Sequence, residues 1–260
     1  MCTCMPDVTS APYTARPSRP PARPSPRPVR PPLRLEPGAA LPDFPDLNDA
    51  LSRALNVAVA ALGLVISAPL MAAIAVAIKL TSRGPVIYSQ MRVGIDRRAP
   101  GEPGNSRRQH DAGGKPFRIF KFRTMAPPAR GPQTTAEVWA QPDDPRVTPL
   151  GRILRSYRLD ELPQLVNVLR GDMNVVGPRP EQPTIFARLR QQIERYEERQ
   201  RVRPGITGWA QVNQSYDTSV ESVRRKLELD LEYIRRQSVM EDIRILLRTV
   251  PVMLGSRGAW

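Results

Sequence analysis

The sequence predicts a mainly helical α+β protein that is monotopic, with a re-entrant membrane helix, interfacial amphipathic helices and a small β element. Three observations support this fold class: a long uncharged apolar run, a stretch of alternating apolar and polar residues after it, and helical periodicity through the second half. The 260 residues are 40% hydrophobic and 25% charged. This composition supplies a hydrophobic core and excludes a wholly disordered chain.

Cysteine and histidine usage excludes two classes of protein. Cys2 and Cys4 are the two cysteines, which excludes a secreted fold held by disulfides. His110 is the single histidine, so a His-cluster metal site within one chain is also excluded. The formal net charge of +14 is compatible with binding to nucleic acid, an anionic membrane surface or phosphate-bearing substrates, and charge alone does not choose between them.

Residues 1–47 are predicted to be a disordered tail rich in proline and arginine. Of the 30 prolines in the chain, 13 lie in the first 45 residues, and such segments favour polyproline II over a packed core. The tail has no apolar stretch long enough for a signal peptide before residue 55.

Residues 48–83 are predicted to be a re-entrant membrane anchor. Their apolar run, 57–78, has 22 residues without charge, and a straight helix of this length would reach about 33 Å, enough to cross the hydrocarbon. Pro69 and Ser67 lie near its middle, where a proline removes a backbone hydrogen bond and bends a helix. Basic residues stand on both sides, which by the positive-inside rule places both ends in the cytoplasm: Arg53, Lys79 and Arg83. A bitopic helix that tolerates its proline is the alternative.

Residues 84–260 are predicted to form a domain on the cytoplasmic face. The segments 84–94 and 115–125 alternate apolar and polar residues and read as strands, with a long Gly/Pro/Arg loop over 96–114 between them. The remainder is helical, with three apolar faces that either pack into a core or lie at a membrane interface. These faces comprise Leu150, Ile153, Leu154 and Tyr157; Phe186, Leu189, Ile193 and Tyr196; and Leu227, Leu231 and Ile234.

An adjacent carboxylate pair, Asp160 and Glu161, is the first candidate for chemistry. Asp160 is a good helix cap and Pro163 is tolerated in a first turn, so we expect a helix to start here and end near Gly171. A helix start attracts phosphate, and one carboxylate of a pair could attack phosphorus while the other holds Mg²⁺. Ordinary helix capping is the alternative for such a pair taken alone.

Basic residues in rigid or ordered segments accompany the pair. Arg179 lies in a Gly-Pro-Arg-Pro-Glu turn, where a guanidinium suits bidentate phosphate binding. Lys121 and Arg123 alternate along a predicted strand and would share a face. A second rigid loop, 203–209, begins with Arg203. Together with a membrane anchor, these features indicate an enzyme that handles phosphate on a lipid.

The order of these motifs resembles the bacterial sugar transferase family, the monotopic phosphoglycosyl transferases that begin glycan assembly on polyprenol phosphate. The resemblance covers about residues 48–255. The matching text is SAPLMAAIAVAIKLTSRGPVIYSQMRVG, FKFRTM, DDPRVTPLGRILRSYRLDELPQLVNVLRGDMNVVGPRPE, RVRPGITGWAQVN and LDLEYIRRQSVMEDIRILLRTV.

The resemblance implies a two-step transfer of sugar-1-phosphate from a nucleotide diphosphate sugar, usually a UDP-sugar, to polyprenyl (undecaprenyl) phosphate. Asp160 would be the nucleophile that forms a phosphosugar-aspartyl intermediate, and Glu161 would be the ligand of a Mg²⁺ cofactor. Six further positions are carried over as substrate or phosphate contacts: Lys121, Arg123, Arg155, Arg179, Arg199 and Asp230. Such an enzyme would initiate exopolysaccharide, O-antigen or other glycan synthesis.

The resemblance also implies a location and partners. The family's anchor is re-entrant, which places the enzyme at the cytoplasmic face of the bacterial inner membrane, among membrane lipid, and the family can form homodimers. The sequence departs from the family's habits at Arg158, where a small hydroxyl residue is frequent, and at Gln200 and Gln214, which leaves the sugar open.

Two hypotheses of other classes are distinguishable from an enzyme. A membrane-tethered protein that binds nucleic acid through its arginine faces would show salt-sensitive DNA binding and would not depend on Asp160. A structural membrane scaffold would carry the motifs as remnants. Neither accounts for the carboxylate pair and the Gly-Pro-Arg-Pro turn, so no nucleic-acid partner is expected.

Overall fold

The computed structural model describes residues 46–97, 113–126, 144–214 and 219–254. The predicted tail therefore lies outside the described residues, apart from residues 46 and 47, which begin the first helix. His110 and most of the 96–114 loop also lie outside them. Within the described residues the fold is mainly helical with a few short strands, as predicted.

The elements follow one another along the chain with these bounds. They are α1 (Asp46–Thr81), β1 (Ile87–Val93), β2 (Pro116–Phe122), α2 (Pro149–Ser156), a 3₁₀ turn (Leu159–Glu161), α3 (Gln164–Arg170), β3 (Asn174–Val176), α4 (Pro183–Gln192), a second 3₁₀ turn (Tyr196–Arg201), β4 (Gly205–Thr207), α5 (Trp209–Asn213), α6 (Val220–Arg236) and α7 (Val239–Leu254).

Helix α1 has 36 residues and continues through Pro69. Within its segment Ala50–Thr81 an 18-residue window reaches a mean hydropathy of 2.4 and, among the described residues, this is the single helix long and apolar enough to cross a membrane. The Ser67 hydroxyl donates a hydrogen bond of 2.6 Å to the Gly63 carbonyl. Such a bond to the carbonyl four residues earlier often bends helices, and a proline does so too, so Ser67 and Pro69 are two bend-favouring residues in one turn of α1.

Both ends of α1 pack on the same body, whereas the stretch 64–73 between them is largely exposed. Near the N-terminal end Arg53 donates to the carbonyls of Val168 and Leu169, at 2.7 and 2.9 Å. Near the C-terminal end Ile74 and Ile78 are buried in a cluster with strand β2 and helix α2. Between these contacts the apolar side chains are exposed, among them Leu62, Val65, Ile66 and Leu70.

The strands form two small pairs. Strands β1 and β2 are antiparallel, with Tyr88 opposite Lys121, so the strands predicted within 84–94 and 115–125 are confirmed. Strands β3 and β4 are parallel, with Val176 paired to Thr207, and the sequence analysis did not anticipate them. Strands of three residues are too short to show a period of two, which is why the pattern was missed.

The predicted apolar faces behave differently from one another. The apolar face shared by α4 and the 3₁₀ turn after it is buried, as predicted, and so is the apolar face of α6. Both lie in one core cluster that contains Phe186, Tyr196, Leu227 and Ile234. On α2 the face is divided, because Leu154 is buried while neighbouring apolar side chains remain exposed, namely Ile153 and Tyr157. Helices α3 and α7 likewise expose apolar side chains: Val166 and Leu169 on α3, and Met240, Ile243, Leu247 and Val250 on α7.

The prediction that Asp160 caps a helix running to Gly171 is wrong. Asp160 lies inside the 3₁₀ turn Leu159–Glu161, and α3 begins only at Gln164, after Pro163. The reason is the backbone of Arg158, whose positive φ of 54° opens the turn before Asp160. The C-terminal end was predicted correctly, since Gly171 ends α3 with a φ of 84°, where glycine is favoured.

Candidate active site

The carboxylate pair lies in a tight, buried turn between α2 and α3. Asp160 and Glu161 are 8% and 6% exposed. The turn is fixed on one side by α2, whose first turn is capped by Thr148, and on the other by Pro163, which precedes α3. Two neighbouring carboxylates at this depth need cationic partners, because an unpaired buried charge is costly.

Lys121 and Arg179 provide these cationic partners. The Lys121 Nζ lies 2.7 Å from Glu161 Oε1 and 3.9 Å from Asp160 Oδ2. The Arg179 Nη2 lies 2.9 Å from the same Glu161 oxygen. Two of the predicted substrate-binding residues therefore converge on the predicted catalytic pair, although they are far apart in sequence.

The environment separates the acidities of the two carboxyl groups. Burial would raise the pKa of Glu161, but Arg179 and Lys121 more than offset burial and hold the pKa well below its ordinary value. Burial raises the pKa of Asp160, and Lys121 only partly opposes this. Burial also lowers the pKa of Lys121, with Glu161 opposing the shift. Of the two, Glu161 is the carboxyl group that its cationic neighbours keep ionised, and Asp160 is the more basic one.

Arg155 approaches the pair from the last turn of α2. Its Nε donates to the Thr124 hydroxyl at 2.9 Å, and its charge is one of those acting on the pKa of Asp160. Thr124 is buried, and its backbone carbonyl accepts from Thr148 at 3.0 Å. Thr124 therefore holds Arg155 on the side of Asp160, a role that the sequence analysis did not assign.

The loop that carries Arg179 is held along its backbone. Its four consecutive carbonyls, those of residues 178–181, each accept a hydrogen bond from a different donor. The donors are Gly205 N (2.9 Å), Arg199 Nη2 (3.0 Å), Arg92 Nη1 (3.2 Å) and Val93 N (2.9 Å). Such a loop needs little reorganisation to present the Arg179 guanidinium to an anion.

Arg199 and Asp230 lie behind this loop rather than beside the carboxylate pair. Their side chains are 1% and 2% exposed and form an ion pair of 2.7 Å. Arg199 also donates to the Tyr196 hydroxyl at 2.7 Å and lies 3.3 Å from Glu181. Lys226 lies 3.0 Å from the same Glu181 oxygen. The structure places these two predicted substrate-binding residues within an internal network, where they support Arg179.

Arg123 points elsewhere, although it was predicted to share a face with Lys121. Strand β2 ends at Phe122, and the Arg123 guanidinium donates to the Ser82 and Arg83 carbonyls at 2.9 and 2.8 Å. It also donates to the Ser82 hydroxyl at 2.7 Å. Arg123 therefore ties the strand end to the residues that follow α1, and its substrate contact remains a prediction.

Asn167 is a positioning residue that the sequence analysis missed. It is fully buried on α3, where its Oδ1 accepts from Phe120 N (3.0 Å) and its Nδ2 donates to the Arg118 carbonyl (2.7 Å). These two bonds join the helix that follows Glu161 to the strand that carries Lys121. An asparagine amid apolar helix residues was the available signal, because a buried amide must find partners.

The protein's carboxylates could supply only some of the ligands that a magnesium ion needs. Mg²⁺ is commonly held by one or two carboxylates together with substrate phosphates, and Glu161 would supply one such carboxylate. Within the described ranges no group of three or more acidic, histidine or cysteine side chains is arranged for a metal. The remaining ligands would therefore come from substrate and water.

Comparison with known proteins agrees with the motifs. A family model described as bacterial sugar transferase matches residues 47–256. Over 206 residues the chain is 42% identical to the UDP-glucose:undecaprenyl-phosphate glucose-1-phosphate transferase of Escherichia coli, covering 78% of this chain and 40% of the relative. It is 39% identical over 209 residues to the UDP-N-acetylgalactosamine-undecaprenyl-phosphate N-acetylgalactosaminephosphotransferase of Aeromonas hydrophila, covering 80% and 45%.

A relative of more similar length is also found in Caulobacter vibrioides. This UDP-glucose:undecaprenyl-phosphate glucose-1-phosphate transferase is 41% identical over 228 residues, which are 87% of this chain and 77% of the relative. The chain thus spans less than half the length of the Escherichia coli and Aeromonas relatives but most of the Caulobacter one. Since the family model covers most of the chain, this protein belongs to the bacterial sugar transferase family.

Proposed function

We propose that the protein is a phosphoglycosyl transferase that moves a sugar-1-phosphate from a UDP-sugar to undecaprenyl phosphate. The observation that carries the proposal is the convergence of Lys121 and Arg179 on the buried pair of Asp160 and Glu161. The relatives are named as transferases of this type. The product would begin an exopolysaccharide, an O-antigen or another glycan.

The reaction has two displacements at one phosphorus atom. An Asp160 carboxylate oxygen attacks the sugar-bearing phosphorus, the bond from that phosphorus to the bridging oxygen breaks, and UMP leaves with the bridging oxygen. A phosphate oxygen of undecaprenyl phosphate then attacks the same phosphorus, and the bond to Asp160 breaks. The products are undecaprenyl diphosphate sugar and a free Asp160 carboxylate, so one carboxylate serves both steps.

The neighbouring residues supply positioning and charge. Burial makes Asp160 more basic, which strengthens it as a nucleophile while Lys121 keeps its ionised form within reach. Arg179 contacts Glu161 directly, and the charge of Arg155 acts on Asp160; guanidinium groups at these positions suit phosphate oxygens. When bound at Glu161, Mg²⁺ would offset the charge of the diphosphate.

The packing of α1 supports a re-entrant anchor. Both ends of the helix contact one domain, through Arg53 at one end and Ile78 at the other, while the middle exposes apolar side chains. A bitopic helix would place its two ends on opposite sides of the bilayer, where one domain cannot contact both. We infer that residues 64–73, which follow the contact between Gly63 and Leu165, enter the membrane from the cytoplasmic face of the inner membrane and return to it.

The exposed apolar side chains of α2, α3 and α7 support an interfacial position for the domain. They include Ile153 on α2, Leu169 on α3 and Leu247 on α7, on helices that also carry arginines. Amphipathic helices of this kind lie in the headgroup region. The catalytic pair would then be held at the depth of the lipid phosphate.

The direct test is release of UMP by the purified protein in detergent or nanodiscs. UDP-sugars are screened with Mg²⁺ and undecaprenyl phosphate, and the Asp160→Asn variant is assayed beside the parent chain. The proposal predicts UMP release by the parent with at least one donor and loss of nearly all release in the variant. Equal release by both would exclude Asp160 as the nucleophile.

A further inference from the structure

A cavity of about 110 Å³ lies beside Glu161 and has no role in the account above. Its walls are mainly apolar: Leu162, Leu165, Ile206 and Val212. Arg158 and Glu161 supply the charge at its margin. A cavity of this composition matches an amphiphile, with a phosphate near the cation and hydrocarbon against the walls, better than it matches a polyhydroxyl sugar ring.

The backbone of Arg158 points to a functional position. Its φ of 54° is unusual for a residue with a side chain, and such conformations are retained where the surrounding structure demands them, often at functional sites. Arg158 precedes Asp160 by two residues and lines the cavity together with Glu161, so its side chain supplies a cation beside the catalytic turn. A lipid phosphate held near Arg158 would therefore lie close to the catalytic turn.

The cavity also adjoins the surfaces assigned to the membrane. Leu165 packs against α1 at Gly63, so closely that a β-carbon there would lie 3.2 Å from the leucine side chain. On another side the wall includes Thr249, which lies on the inner face of α7, whereas Leu247 and Val250 of the same helix are exposed on its outer face. The cavity therefore lies next to two helices, α1 and α7, whose outward side chains include many apolar ones.

We infer that this cavity binds the isoprenoid unit nearest the phosphate of the lipid acceptor. The inference rests on the proposed function and adds to it a site for the acceptor that is separate from the donor contacts. The small volume admits only the first few carbon atoms of the chain. The remaining isoprenoid units stay in the bilayer, beside α1 and α7.

The test fills the cavity from two independent sides. Val212→Phe adds a ring from α5, and Thr249→Leu adds hydrocarbon from α7 in case the larger substitution disturbs folding. Each variant is expected to raise the KM for undecaprenyl phosphate about tenfold, the change expected from losing one or two buried methylene contacts. Single-turnover UMP release without lipid acceptor is expected to keep its parent rate, since that step involves the donor alone.

The matched control is Val220→Phe, the same substitution at a residue that is 40% exposed on α6. It should behave as the parent, and thermal unfolding in detergent verifies that each variant is folded. Unchanged KM for the lipid in both filled variants would overturn the inference. The inference would also be overturned if the filled variants released UMP more slowly and raised the KM for the UDP-sugar but not the KM for the lipid, because the donor would then occupy the cavity. Absence of UMP release by the parent chain with every donor would instead reject the proposed function.

Discussion

Arg199 donates a hydrogen bond of 3.0 Å to the backbone carbonyl of Arg179, the residue whose guanidinium binds Glu161. The donor is almost completely buried and is itself held by Asp230 at 2.7 Å. A buried ion pair is weak evidence for stability by itself, but it can fix one conformation among several. In this protein the conformation that it fixes is that of the loop presenting Arg179.

The first prediction concerns Arg199 as a positioning residue. Arg199→Lys keeps the charge but loses the guanidinium fork, whose Nη2 reaches Asp230 and the Arg179 carbonyl while its Nη1 reaches Tyr196 and Glu181. We expect kcat/KM for the UDP-sugar to fall about tenfold, mainly through kcat. In a double-mutant cycle with Arg179→Lys the two losses should not add, because both act through the same guanidinium.

The matched control for this cycle is Arg236→Lys on α6. Its ion pair with Glu232 is 2.7 Å long, but the arginine side chain is half exposed. An exposed pair contributes little, so activity should be unchanged. Fully additive effects of the substitutions at 199 and 179 would show that Arg199 does not act through Arg179.

The second prediction concerns Glu161 and magnesium. Glu161→Gln removes the anion that Lys121 and Arg179 share, and with it the proposed metal ligand. We expect the Mg²⁺ concentration for half-maximal UMP release to rise at least about tenfold. The KM for undecaprenyl phosphate should change much less. Glu221→Gln, at an exposed glutamate on α6, is the control, and an unchanged Mg²⁺ titration of Glu161→Gln would remove the assigned role.

The third prediction is a pH dependence of stability that arises from Asp242. Burial raises the pKa of this carboxyl from 3.8 to about 6. The hydrogen bonds with Tyr233 and Ser52 would lower the pKa, but burial outweighs them. The folded state therefore binds the proton more tightly than the unfolded state. Stability from this group is fully present below about pH 4 and is lost as the pH rises to about 6, by roughly 2 to 3 kcal/mol.

The Asp242→Asn variant tests whether this group loses stability as the pH rises. The amide can still accept from the Tyr233 hydroxyl, which lies 2.7 Å from the carboxylate, but it has no charge to bury. We expect the variant to unfold at a higher temperature than the parent near pH 7.5, with little difference near pH 4. A constant difference across this range would mean that Asp242 does not titrate as described.

The fourth prediction concerns the topology of α1. A label at the N-terminus and a label after Lys79 should both react from the cytoplasmic side in spheroplasts and in inverted vesicles. The prediction follows from the two ends of α1 packing on one domain, through Arg53 and Ile78. Labelling of the two positions from opposite sides would establish a bitopic helix.

Several parts of the site follow from sequence because they are encoded locally. The adjacent Asp160 and Glu161 and the Gly-Pro-Arg-Pro turn can be read directly, and alternation predicts the strand that carries Lys121. That Lys121 and Arg179 meet at Glu161 is a tertiary fact, which the sequence supports only through family resemblance.

Other parts of the site could not be predicted from the sequence, for physical reasons. Arg199 and Asp230 were assigned to substrate because they fall on polar positions of the family's motifs, and the sequence gives no sign of their burial, since charged residues are rarely fully buried. The helix start was misplaced because Asp160 has good capping propensity, whereas the left-handed backbone of Arg158 determines the turn. Asn167 gave no periodic signal, because its importance lies in two bonds to a distant strand.

The central claim is that the side chain of Asp160 becomes covalently bonded to phosphorus. It is tested most directly by mixing the protein with a UDP-sugar and Mg²⁺ without lipid acceptor, quenching, and mapping the modified peptide by mass spectrometry. The account predicts a phosphosugar adduct on Asp160 that disappears when undecaprenyl phosphate is added and never forms in Asp160→Asn. An active protein that carries no adduct, or carries it on another residue, would contradict the account.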